Sequence, residues 1–359
     1  MPVVRMGGYE VGAGHSPLVV AEMSGNHNRR LERALELVDA AAAAGAHAIK
    51  LQTYTADSLT LDVSAADFVV QDPRSLWAGR TLHSLYAEAA TPREWHPAIF
   101  ARARERGIAA FSTPFDESAV EYLETLDVPC FKIASFEIVH LPLIRKAAST
   151  GKPLVISTGM ATKQEISDAV DEARRSGCRE LVLLKCTSEY PALPGDANLN
   201  TIRDMEARYG CPVGLSDHSL GTAVAVAAVA LGASVVEKHL TLGRDDGGVD
   251  SAFSLEPAEF AALVRDVQDA WDALGEIRYG PSERELGSLH FRQSIYVCED
   301  VRAGDVFDST NVRIVRPGGG LEPKHWDQVM GSRARLDAVK GTPLTWRLIE
   351  PKDDAALGG

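Results

Sequence analysis

No two cysteines in this chain stand at C-x-x-C spacing, no apolar run is long enough to cross a bilayer, and no segment is of low complexity. Cys130, Cys178, Cys186, Cys211 and Cys298 lie mostly in or beside apolar runs, which suits free, reduced thiols. A charged-then-apolar leader is also missing after Met1, so a cytoplasmic location is expected. Basic charge is in short supply: the net charge is −13 and the pI about 5.3. That balance argues against nucleic acid or an anionic membrane as a partner. An anionic substrate must then be drawn by a local cluster of Lys or Arg.

What the chain does have is eight short apolar runs, each ending in polar or charged residues. They are LVVAE ending at Glu22, HAIKLQ at Gln52, IAAFST at Thr113, CFKIAS at Ser135, PLVIST at Thr158, LVLLKC running on to Ser188, PVGLSDH at His218 and SVVEKH at His239. Runs rich in Val, Ile and Leu without clean alternation suit strands of a parallel sheet buried on both faces. Between them lie helical patterns: residues 29–44 close at Gly45, and Thr162 with Glu165 makes a capping-box signature before a helix that closes at Gly177. Asn28 reads as a cap for the helix beginning near Arg29. Eight such runs, most followed by a helical pattern, predict an α/β fold, a (β/α)8 TIM barrel with its chemistry at the carboxyl ends of the strands.

The chain has 359 residues, against about 250 for an ordinary barrel, so a second domain is expected. The barrel pattern is complete by 1–277, a polar stretch with a Gly-Pro break reads as a linker over 278–293, and short alternating segments predict a small, mostly β domain over 294–352 with a tail at 353–359.

Three constellations fall at the strand ends. His218 and His239 end neighbouring strands, where two imidazoles with oxygen ligands suit a divalent cation such as Mn²⁺ or Mg²⁺; a core or capping role is the plainer alternative. Asp217 suits orientation of one ring. Lys50, Ser112, Thr113, Lys132, Ser135, Ser157, Lys185, Ser188 and Ser216 would cradle a small phosphorylated acid, because an unpaired buried ammonium is costly. Against that stands a structural lysine paired with a carboxylate, for instance Lys238 with Glu237. Glu22, Glu137 and Asp250 suit hydrogen bonds to sugar hydroxyls or proton transfer. The segment from Tyr54 to Ala90 exceeds an ordinary βα loop. Its Phe68, Trp77, His83 and Tyr86 either wall a sugar pocket or pack the insert onto the barrel.

The segments AEMSGNHN (21–28), KLQTYTAD (50–57), STPFD (112–116), KIASFE (132–137), STGMAT (157–162), CTSEYPA (186–192), GLSDHS (214–219), EKHLT (237–241) and SLEP (254–257) resemble the sialic acid synthase family, in order and over nearly the whole chain. SLWAGRTLHSLYAEAATPREWH and DDGGVDSAFSLEP are similar to the branch whose acceptor is a 2,4-diacetamido-2,4,6-trideoxy-altrose. Sialic and legionaminic branches usually carry Gly-Pro-Asp where this chain has Gly-Val-Asp. The resemblance implies that His218 and His239 bind Mn²⁺ or Mg²⁺. It further implies that Lys50, Thr113, Lys132, Ser135, Ser157, Ser188 and Ser216 hold phosphoenolpyruvate, although the sialic branch often has Asn in place of Ser188. Gln52, Glu137, Tyr190 and Asp250 would then surround the acceptor, with Glu22 moving a proton near the reacting carbons. It also implies that the C-terminal part is an antifreeze-like (SAF, β-clip) domain, whose Arg316 in RPGGG enters the partner's barrel in a domain-swapped homodimer. The expected activity is a phosphoenolpyruvate-dependent transferase reaction that makes a carbon–carbon bond. A Schiff-base aldolase using Lys132 or Lys50, or a sugar-binding protein without catalysis, remain as rivals.

Overall fold

A Gly-Gly pair early in the chain builds an element that the sequence reading did not anticipate. In the computed structural model, which describes residues 2–351, strands β1 (Val4–Met6) and β2 (Tyr9–Val11) pair antiparallel across Gly7 and Gly8. Both glycines have positive φ, 58° and 91°, the conformation that a two-residue hairpin turn needs. The expected tail at 353–359 lies outside the described residues.

The eight apolar runs are the strands β3 (Leu18–Glu22), β4 (Ala48–Thr53), β5 (Ala109–Pro114), β6 (Phe131–Ile133), β7 (Leu154–Ser157), β8 (Leu181–Cys186), β9 (Val213–Asp217) and β10 (Val235–His239). They pair in parallel and close on themselves, β10 meeting β3. Helices return the chain between them, including Leu31–Ala43, Lys163–Arg175 and Pro257–Leu274. Thr162 and Glu165 form the reciprocal capping box that their spacing predicts. Asn28 does not cap. Its amide reaches instead to the carbonyls of Asp246 and Gly247, tying the loop after β3 to the loop after β10, while Arg30 stands at the helix N-cap without a side-chain bond.

Strand periodicity sorts the barrel residues between two cores. Val19, Ala21, Ile49, Leu51, Leu183 and Val236 face outward into the helices. Leu18, Val20, Phe111, Val155, Val182 and Leu184 face inward, where Val4, Met6 and Val11 of the hairpin pack against them and fill one end of the barrel. Gly214 belongs to the inward layer: a Cβ there would stand 2.5 Å from the Val235 carbonyl oxygen and 2.8 Å from Leu184 Cδ2. Going up each strand, the inward positions turn from apolar to charged.

Two buried charges lie on the outward face. Lys238 and Asp217 are register partners on β10 and β9, and Lys238 Nζ donates to Asp217 Oδ2 at 2.5 Å and to the Ser219 carbonyl at 2.6 Å. This corrects two expectations. Lys238 does not pair with Glu237, because successive strand residues point to opposite faces. Asp217 does not orient an imidazole, because both of its oxygens are engaged by Lys238 and Ser219.

Contacts divide the chain into Met1–Gly275 and Glu276–Gly359. The second unit opens with a 3-10 segment, Glu283–Phe291, within the stretch read as a linker. Its strands β11 (Ser294–Val297) and β12 (Val312–Val315) pair antiparallel over a small core of Ile295, Val297, Phe307, Val312, Val329 and Leu344. The RPGGG segment is glycine-rich for a steric reason: a Cβ on Gly320 would collide with the Ile295 carbonyl oxygen.

Replacing Lys238 with Met should lower the barrel's stability by about 3 kcal/mol, because Asp217 is left buried with no counter-charge. The readout is the urea midpoint of the barrel transition; an unchanged midpoint would contradict this.

Candidate active site

The inward layer nearest the barrel mouth carries a buried network of alternating charge. Lys50 Nζ lies 2.8 Å from Glu22 Oε2 and 3.5 Å from Glu237 Oε1, and Lys132 Nζ lies 3.2 Å from the same Glu237 oxygen. Thr113 accepts from Lys50 at 3.3 Å, Ser216 donates to Glu237 at 3.2 Å, and Gln52 donates to Glu22 at 2.9 Å. All four charged groups are buried. Burial would raise the Glu237 carboxyl, but Lys132 and Lys50 together outweigh it and hold it at about 2. For Glu22 burial prevails: it raises the carboxyl, Lys50 opposes, and the neighbouring Glu237 charge adds to the rise. Burial also pulls Lys50 down, yet the two carboxylates overcome it and raise the ammonium; Lys132 is lowered by burial, with Glu237 only partly offsetting. Glu237 therefore holds the negative charge, and Glu22 is the carboxyl readier to bind a proton.

Glu237 is the residue that sequence reasoning missed. It was weighed only as a partner for Lys238. The signal was present: two residues before His239 on one strand, it must share the inward face. The same parity removes two candidates. Ser112 faces outward and bonds Thr53 Oγ1 at 2.6 Å beside His96, and Lys185 donates to the Cys186 carbonyl at 2.8 Å.

Hydroxyls flank the lysines. The Gly159 N–H donates to Ser135 Oγ at 3.1 Å, and a Cβ on Gly159 would overlap the Ser135 and Ser188 hydroxyls, so that turn requires glycine. Ser157 Oγ is buried and has no partner among the described residues. The cavity above, about 540 Å³, is lined by Glu22, Lys50, Gln52, Ser135, Glu137, Ser188, Tyr190, Ser216, His218, Glu237, His239 and Asp250. Thr113 and Lys132 do not line it; they bond to Lys50 and Glu237, which do. Another cavity, about 580 Å³ and lined by Arg5, Tyr9, His15 and His47, lies beside the hairpin and lacks a buried charge cluster.

His218 and His239 stand together, with ring centroids 5.3 Å apart. His218 Nδ1 lies 2.8 Å from the Thr187 carbonyl and donates to it, so Nε2 is the nitrogen left for a ligand. His239 is buried, with Nδ1 unpartnered, and burial followed by the charges of His218, Lys50 and Lys132 pushes it well below the ordinary imidazole range. Burial would lower the His218 imidazole, but contacts with Cys186 and the Thr187 carbonyl outweigh it and raise it, so a divalent cation would take the place of a proton there, while the neutral His239 offers its lone pair directly. Among the described residues no third His, Cys, Asp or Glu completes a cluster with them, so remaining ligands would be water or substrate oxygens. Tyr190 packs on His218 at 4.4 Å and on Phe253 at 5.1 Å, and Phe253 packs on His239 at 4.9 Å.

The upper walls come from loops. Asp250 is buried, and burial raises its carboxyl although Ser24 donates a hydrogen bond to it. Glu137 follows β6 with Oε2 unpartnered; burial raises it to about 7, opposed by a backbone N–H and by Lys132. The insert supplies Leu59, Val70, Trp77, Leu82 and Tyr86 to the same cavity. Arg316 belongs to the second unit.

Comparison with known proteins agrees with this arrangement. The NeuB family profile matches residues 37–279, and the SAF domain profile matches 292–350. A pseudaminic acid synthase of Campylobacter jejuni is 42% identical over 326 residues, covering 91% of this chain and 94% of that protein. One from Helicobacter pylori is 40% identical over 331 residues, covering 92% and 96%. A crystal structure of an N-acetylneuraminic acid synthetase from Leptospira borgpetersenii superimposes with a TM-score of 0.71 at 30% identity, covering 81% of this chain and 96% of that one. Matched along most of its length by the profile and by these relatives, the chain belongs to the NeuB family and carries a C-terminal SAF domain.

Proposed function

We propose that the chain acts as a pseudaminic acid synthase, joining phosphoenolpyruvate to 2,4-diacetamido-2,4,6-trideoxy-β-L-altropyranose, in its open-chain aldehyde form, with water. Pseudaminic acid and phosphate are the products. The observation that carries this reading is the pair of lysines sharing Glu237 beside His218 and His239, at the floor of a cavity of about 540 Å³. The similarity to curated pseudaminic acid synthases supports the acceptor.

Lys50 and Lys132, with the hydroxyls of Thr113, Ser135, Ser157, Ser188 and Ser216, hold the carboxylate and phosphate of phosphoenolpyruvate, exchanging carboxylate partners for substrate anions. Gln52, Glu137, Tyr190 and Asp250 orient the sugar. Mn²⁺ or Mg²⁺ held by His218 and His239 would supply polarisation of the acceptor aldehyde. The methylene carbon of phosphoenolpyruvate forms the new bond to the aldehyde carbon, and positive charge develops at the enol carbon. Water adds there and gives a proton to Glu22, which passes it to the former aldehyde oxygen; cleavage of the C–O bond then releases phosphate, which carries off the remaining hydroxyl proton and leaves the 2-keto acid, which cyclises. A carboxyl already raised by burial suits that transfer. In a homodimer, Arg316 of each subunit would reach into the other's barrel.

The test is phosphate release from phosphoenolpyruvate that depends on the altro acceptor, run beside its legionaminic counterpart and N-acetylmannosamine. Activity with N-acetylmannosamine alone would overturn the acceptor assignment. Glu22→Gln should keep phosphoenolpyruvate affinity and lower kcat by at least ~10²-fold, the scale of a lost proton transfer; a retained kcat would refute the role. Chelation should abolish turnover and added Mn²⁺ or Mg²⁺ restore it, whereas borohydride trapping of pyruvate on Lys50 or Lys132 would favour the Schiff-base rival. Glu137, raised from 4.5 to about 7, binds its proton more tightly folded than unfolded, so its contribution is lost as pH rises from 4.5 through 7. Above pH 7 its charge costs up to about 3 kcal/mol at about 1.4 kcal/mol per pH unit. Glu137→Gln should therefore raise the unfolding midpoint of the unliganded protein at pH 8 and change it much less at pH 5.

A further inference from the structure

The insert after β4 folds as a unit that presents carbon to the cavity. Val69 bridges Thr81, the Val70 N–H donates to the Arg80 carbonyl, and the Gly79 N–H donates to the Val70 carbonyl. The helix Leu82–Ala89 then returns the chain to the barrel. Four polar residues of the insert also border the cavity, Tyr54, Asp72, Ser75 and Tyr86, and two of them are tied within the insert. Asp72 takes the Arg74 guanidinium at 3.0 Å, and Ser75 Oγ accepts from the Trp77 N–H at 3.2 Å. His83 is bound to Asp57 at 2.9 Å. Apart from the Tyr54 and Tyr86 phenols, what the insert turns to the cavity is carbon: Leu59, Val70, Trp77, Leu82 and Leu85, with Gln52, Glu137 and Asp250 also in the lining.

Trp77 links this wall to the chemistry. Its indole Nε1–H donates to the Val249 carbonyl at 2.9 Å, one residue before Asp250. Its ring lies 5.8 Å from Tyr190, which packs on His218. An unbroken series of rings therefore runs from the insert through Tyr190 and Phe253 to both histidines. Asn28 holds the carbonyls of Asp246 and Gly247, and Ser24 and Ser254 hold Asp250; the indole bond adds the tie that comes from the insert, on the peptide next to Asp250.

We propose that Trp77 is a specificity-determining residue for the acceptor: it fixes the Asp250 loop through its N–H and, with the leucines beside it, gives an apolar surface to the acceptor's methyl-bearing substituents. These are acetamido methyls and a deoxy carbon rather than hydroxyls. The proposal rests on the synthase reading and names the part of the cavity that selects the sugar. A hydroxyl set against the Trp77 ring and these leucines would lose its water to carbon, which disfavours it there.

Steady-state phosphate release tests it, with phosphoenolpyruvate and acceptor varied separately. Trp77→Phe keeps a ring and removes only the indole bond. Its acceptor KM should rise about tenfold, the scale of one lost hydrogen bond, while the phosphoenolpyruvate KM moves less than about twofold. Trp77→Ala should in addition reduce the preference for the 6-deoxy acceptor over its 6-hydroxy counterpart. Equal shifts in both KM values, or none, in Trp77→Phe would overturn the proposal while leaving the synthase reading intact. A wild-type protein that releases no phosphate with any diacetamido sugar would overturn both.

Discussion

Glu237 sits at the centre of the barrel's electrostatics. Two lysines buried among apolar strands would be untenable alone, since the cost of desolvating an ammonium exceeds what one hydrogen bond returns. One carboxylate between them, with Glu22 on the far side of Lys50, makes the layer electrically balanced. The balance is also provisional. The lysines are held by partners that a substrate anion can replace, so the resting network has the shape of the complex it would form. A neutral His239 follows from its burial and from the same charges, because ammonium groups nearby discourage its protonation.

Much of this was legible in the chain. Parallel strands buried on both faces leave continuous apolar runs, and each run changed to polar residues where the barrel opens, so the fold and the convergence of Glu22, Lys50, Gln52, Ser216, His218 and His239 could be read together. Side-chain parity was the step left untaken. Counting by twos along β10 separates Glu237 and His239 from Lys238, and along β5 separates Thr113 from Ser112. The β1–β2 hairpin escaped notice because three-residue strands have too little pattern to stand out, although Gly7 and Gly8 marked its turn. Asn28 misled for another reason. An Asn before a helix is a good cap by type, but its positive φ of 49° turns the amide toward a loop more than two hundred residues away in sequence.

The aromatic residues form a second framework independent of charge. Trp77, Tyr190 and Phe253 arrive from three different loops and meet beside the histidines. Loops that meet through rings are held by dispersion over broad faces, whereas the lysine layer is held by point charges at short range. The site thus has a rigid floor set by strands and a wall whose position depends on packing between loops.

The β10 sequence Glu-Lys-His serves both sides of one strand at once, its outer residue locked to Asp217 and its flanking residues facing the cavity. Such a strand tolerates exchange of side chains far better than a change of length. Deleting or inserting a single amino acid within it would turn Lys238 toward the cavity and send Glu237 and His239 into the helices, undoing the floor, the imidazole pair and the outer lock in one event. Indels in this part of the gene should be purged even where they preserve every residue type.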